Sequence, residues 1–67
     1  MNLVEGLLDE MNRVREIKKL YESLPDGVGM IGASIMDHSI KQAEKAVGSG
    51  DIMKMLPALQ ELKGFKD

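Results

Sequence analysis

Val28-Gly-Met-Ile-Gly-Ala-Ser-Ile-Met-Asp-His-Ser-Ile-Lys-Gln-Ala-Glu-Lys-Ala-Val47 is the stretch whose reading decides the fold. Taken at steps of three and four, it yields Gly29, Gly32, Met36, Ser39, Ala43 and Ala46, which is one face of a helix. All but Met36 are small. Val28 and Ile35 flank that line on one side, and Ile40 and Val47 on the other, while Asp37, His38, Lys41, Glu44 and Lys45 fall opposite. A seam of small residues lets a partner helix come close, toward the short end of the usual ~8–10 Å interaxial range.

The partner lies upstream. Asn2 suits a helix N-cap, with Glu5 three residues on completing a capping-box-like pair. Apolar residues then follow at Leu3, Leu7, Val14, Ile17, Tyr21 and Leu24. Val4, Leu8, Met11 and Leu20 widen that stripe, which drifts as a repeat near 3.5 does. Acidic residues come first (Glu5, Asp9, Glu10) and basic ones later (Arg13, Arg15, Lys18, Lys19), as the helix dipole favours. Asp9 and Arg13 are spaced for an ion pair. The four basic side chains read as a solvated face in preference to a phosphate-binding patch.

Leu24-Pro25-Asp26-Gly27 ends the first helix, because proline drives the residue before it out of the helical region. Asp26 is a candidate cap for the second helix. Gly27, Gly29 and Gly32 match the spacing of a dinucleotide-binding loop, but no strand precedes them, so close packing is the preferred reading. Gly48 is the expected stop of helix 2, and Asp51 the expected cap of helix 3. Helix 3 places Ile52, Met55, Leu56, Leu59 and Leu62 on one face. Pro57 lies opposite that face, so one bent helix running through it is expected.

The sequence therefore predicts an all-α fold: a single three-helix domain over 1–67, with helices at about 3–23, 28–47 and 52–63. A long first helix is followed by an αα-hairpin, and helices 1 and 2 are antiparallel. With 67 residues the core is marginal. The chain has no cysteine and one histidine, which excludes a disulfide framework and a Cys/His zinc site. A net charge of −2 argues against a nucleic-acid arm or a polybasic membrane anchor. No apolar run reaches the ~20 residues of a membrane span and no leader is evident, so a cytoplasmic protein is expected.

Chemistry-bearing groups are sparse. His38 has Ser34 one helical turn before it, but no orienting acid completes a catalytic set. Glu5 and Asp9 are an exposed carboxylate pair of a kind common on helices. No catalytic residue, cofactor or metal is expected. Among the six methionines, Met30 and Met53 fall off the main stripes and are candidate partner contacts, as are Leu20 and Leu24.

The turn and helices of Ala43–Gly64 are similar to a tetratricopeptide hairpin, without its Trp, Leu-Gly and Tyr positions or its repeat. Through Tyr21-Glu22, Pro25-Asp26-Gly27 and Leu62-Lys63-Gly64, the whole chain resembles small uncharacterised helical proteins of bacterial and prophage genomes. That resemblance implies the all-helical fold and no activity. The expected function is a non-enzymatic structural or protein-interaction module. Its expected partner is itself, as a homodimer in preference to a monomer, or another helical protein. The alternative is a small nucleic-acid-associated regulator that presents Lys41, Gln42 and Lys45 from a helix-turn-helix-like hairpin.

Overall fold

Backbone conformation at three short junctions sets the element boundaries. The computed structural model describes residues 2–66, with α1 at Leu3–Glu22, a 3-10 turn at Pro25–Gly27, α2 at Met30–Ser49 and α3 at Ile52–Lys63. Met1 and Asp67, the ends of the expected 1–67 domain, lie outside the described residues. At the first boundary the Asn2 side chain accepts from the Glu5 amide at 2.8 Å. Glu5 answers through its carboxylate, which accepts from the Asn2 side-chain amide at 3.4 Å.

The second helix is shifted from its expected span of 28–47. Asp26 and Gly27 both take left-handed backbone (φ 59° and 68°), so the chain cannot enter a helix there and Asp26 is not the cap. Gly29 is the N-cap, without a side-chain bond, and the helix begins at Met30. At the other end it runs through Gly48, because the left-handed residue that stops it is Gly50 (φ 69°). Asp51 caps α3 as expected, accepting from the Met53 amide at 2.9 Å. α3 passes through Pro57 without interruption.

All three helices pack on one another, α1 and α2 most extensively. Tyr21 lies over Gly29 and Gly32, Lys18 Nζ reaches Asp37 at 2.9 Å, and Arg15 reaches Glu44 at 3.3 Å. Numbers thus fall along α1 as they rise along α2. Leu7, Met11, Val14 and Ile17 meet Met36, Ile40, Ala43 and Ala46, and Met55, Ala58 and Leu62 of α3 close the core. Ala58, unremarked in the sequence, is buried, whereas Ile52 and Leu56 of the expected α3 face are exposed. Among the described residues, no helix is long and apolar enough to cross a membrane.

The small-residue line has two neighbours instead of one. Gly29, Met36, Ser39, Ala43 and Ala46 are buried and Gly32 half-buried. A Cβ at Gly29 would run into the Tyr21 carbonyl, with its carbon at 2.8 Å, and one at Gly32 would meet the Tyr21 ring at 2.7 Å. Ser39 turns instead to α3, donating its hydroxyl to Glu61 at 2.7 Å. The expectation that the basic residues of α1 form a solvated face holds for Lys19 and is corrected for the other three. Arg13, Arg15 and Lys18 tie α1 to the other two helices, because each ends beside an acceptor on them.

Candidate interaction surface at the open end of the hairpin

The third helix is too short to cover the other two. α1 and α2 have 20 residues each and α3 has 12. Its upper end is fixed by Arg13, whose guanidinium donates to the carbonyl oxygens of Leu62 at 2.9 Å and Phe65 at 2.8 Å. Leu62 is in the last turn of α3 and Phe65 just past its end, where a cation is favoured. Glu10 holds the same guanidinium from below at 2.7 Å, so Arg13 pairs one turn away with Glu10 and not with Asp9. Residues 14–22 of α1, roughly 13 Å of helix, continue past that clasp.

Helical register shows which side is left bare. Leu20 follows Arg13 by seven residues, two turns on the side that faces α3, and Leu24 stands just past the end of α1. On α2 that side is marked by Ser39, bonded to Glu61, and by Gln42, which lines the groove between α2 and α3. Ile35 precedes Ser39 by four residues and Ile31 precedes Gln42 by eleven. Val28 stands in the turn leading into α2. All five are exposed: Leu20 65%, Leu24 44%, Val28 75%, Ile31 79% and Ile35 53%. Val28 and Ile35, expected as flanks of a packed seam, are thus uncovered because α3 stops short of them.

The other side of the hairpin is ionic. Asp37 bridges Lys18 and Lys41, each at 2.9 Å. These two hydrogen bonds hold the Asp37 carboxyl below its ordinary range. The bond to Asp37 raises Lys18 against the opposing effect of desolvation. Arg15 and Glu44 extend the same row. The two sides of one helix pair are therefore unlike, charged and mutually neutralised on one, aliphatic and bare on the other.

The residues singled out in the sequence are dispersed by the fold. Leu20 and Leu24 share the bare aliphatic side. Met30 is half exposed and lies toward the ionic side, beside a shallow groove that includes Lys18, Glu22 and Asp37. Met53 is well exposed near the opposite end of the molecule, in the groove between α2 and α3 with Gln42 and Lys45. His38 and Ser34 are exposed on α2. Lys41, one of the three residues offered for nucleic acid, is drawn to Asp37. Among the described residues, no group of three or more His, Cys, Asp or Glu side chains converges to hold a metal ion. Ile31 was missed in the sequence, although its eleven-residue spacing from Gln42 was readable there.

The chain matches no family model, no curated protein and no solved structure.

Proposed function

We propose that this protein is an interaction module without chemistry of its own, which docks a helical partner on the open end of its α1–α2 hairpin. One observation carries the reading. Five large aliphatic side chains stand exposed on the side of the hairpin that α3 covers lower down. Scattered apolar residues are ordinary on a protein surface, but a contiguous group marks a contact surface. A two-helix ledge with aliphatic residues at helical spacing is shaped to receive one more helix or a helix pair, by the helix-in-groove mode of recognition. Along the same stripe, Ser39, Ala46 and Arg13 line the part that α3 covers, and the large aliphatic residues of the stripe stand where nothing yet packs.

Site-specific photo-cross-linking in cells tests this. A photoreactive side chain in place of Ile31 is expected to give a discrete covalent adduct, and one in place of Lys45 none. Absence of any adduct from position 31 overturns the reading.

A further inference from the structure

The partner at the open end can be named from the chemistry of the surface. We infer that it is a second copy of this chain, docked about a two-fold axis that crosses the helices, so that the exposed aliphatic patch of each protomer lies against the same patch of the other. This rests on the interaction reading above and deepens it.

Three features of the surface select a second copy. The first is its shape. The aliphatic side consists of two strips, one on each of two helices that run in opposite senses. A two-fold axis that crosses the helices brings each strip over the same strip of the other protomer, sets the two α3 helices at opposite ends, and closes the assembly. The product is a local four-helix layer joined by the short Pro25–Gly27 turns.

The second is charge. No ionisable residue belongs to the five-residue patch; Asp26, exposed in the turn between Leu24 and Val28, and His38, exposed one turn past Ile35, stand at its rim, and other charged groups near it are engaged. Arg13 is held by Glu10 and the α3 carbonyls, and Glu16 pairs with Lys19. Apposing two identical surfaces usually sets like charges against each other; here it sets aliphatic against aliphatic and buries no charge. A patch that offers no charge complementarity also gives no preference for a charged partner.

The third is area. The exposed fractions of the five residues add to about three whole aliphatic side chains. At roughly 60–120 Å² of apolar surface each, both protomers together contribute roughly 400–700 Å². With a polar rim in the usual proportion, the whole interface is on the order of 1,000 Å², the lower bound for a specific contact. A weak dimer is expected, dissociating on the order of 0.1 mM.

The experiment is sedimentation equilibrium of the full chain from about 10 μM to about 2 mM. The expected mass rises from 7.4 kDa toward twice that value. The melting temperature should rise in parallel, because association stabilises the folded chain by mass action. Ile31→Glu should stay at the single-chain mass throughout with an unchanged helical circular dichroism spectrum, since that side chain is exposed. The chain has no cysteine of its own. Ile31→Cys chains, oxidised at high concentration, should therefore form a disulfide-linked dimer, and Lys45→Cys chains none. A constant 7.4 kDa mass to 2 mM overturns the dimer, as does association that survives Ile31→Glu. If the mass is constant and position 31 cross-links a different protein, the dimer is overturned and the interaction reading stands. If the mass is constant and no adduct forms, both fall.

Discussion

The covered half of the α1–α2 hairpin and its open end are built from the same two helices, yet they distribute apolar bulk in opposite ways. Where α3 packs, the stripe carries Ser39 and Ala46 on α2 and Arg13 on α1, beside the buried bulk of Leu7, Met11 and Val14. Where α3 is absent, the positions in register carry Ile35, Ile31 and Leu20, Leu24 stands just past the end of α1, and all are exposed. A buried side chain contributes roughly 1.5–3 kcal/mol and an exposed one almost nothing, so the aliphatic residues of the open end add little to the stability of the single chain. In the covered half, small residues permit close approach and specific polar ties fix the third helix. Bulk at the open end is left exposed by the single chain.

The largest expected effect tests the contrast directly. Leu62 is fully buried between the helices, and Leu62→Ala should cost about 2–5 kcal/mol. That is a large part of the total stability of a domain this small, roughly 3–10 kcal/mol. Ile31→Ala, a truncation of similar size at the open end, should change the stability of the dilute chain by less than about 0.5 kcal/mol. Urea titrations near 10 μM monitored by circular dichroism measure both. Comparable losses would show that the open end is packed within the monomer and remove the contrast.

Next come the glycines of the close approach. Gly29→Ala forces a methyl group against the Tyr21 backbone, which cannot swing aside as a side chain can. A loss of about 1–3 kcal/mol is expected, as for other overpacked sites. Gly48 lies inside α2, the helix that Gly29 caps, and a methyl group added there would meet no atom within 4 Å. Gly48→Ala should therefore gain about 0.5–1 kcal/mol from helix propensity alone. Opposite signs for one substitution at the two positions would locate the close contact at the Tyr21 end. Equal signs would show that propensity, not contact, governs both.

These glycines also show how much of the fold the sequence disclosed. The three helices were legible because their apolar spacing and their caps at Asn2 and Asp51 agree, and local signals suffice for that. The two-residue shift of α2 was not legible. It depends on Asp26 adopting left-handed backbone beside Gly27, a conformation uncommon for a non-glycine residue. Nor was the role of Arg13, whose acceptors are 49 and 52 residues away. Residue spacing within a helix carries no information about a carbonyl on another helix. For the surface, Leu20 and Leu24 stood out as excess bulk, but Val28 and Ile35 were assigned to packed flanks. Period alone identifies a face; it does not reveal that the helix meant to cover it ends early.

A smaller effect concerns that early end. Arg13→Met keeps most of the apolar stem and removes the guanidinium fork from the Leu62 and Phe65 carbonyls. A loss of about 1–2 kcal/mol is expected, in line with hydrogen bonds to a charged group. Hydrogen exchange should quicken first at amides near the end of α3, with α1 and α2 little changed. Uniform quickening across all three helices would show that the clasp and the core open together.

The smallest effect lies on the ionic side and is read through pH. Asp37 has its carboxyl pKa lowered by hydrogen bonds from Lys18 and Lys41. A lowered folded-state pKa gives stability that is present above the unfolded value near 3.9 and is lost as pH falls through the folded one. Lys18 has the reverse sign: its raised pKa contributes below the unfolded value near 10.4 and is lost as pH climbs through the folded one. Asp37→Asn should therefore melt slightly below the unaltered chain between about pH 5 and 9. The two melting curves should converge toward about pH 2, where the carboxylate is protonated. The gap should also shrink in about 1 M salt, because these groups are open to solvent and screened. A gap that persists unchanged to pH 2 would mean that the Asp37 side chain acts through packing, and the charged side of the hairpin would then differ from the aliphatic side in shape and not in electrostatics.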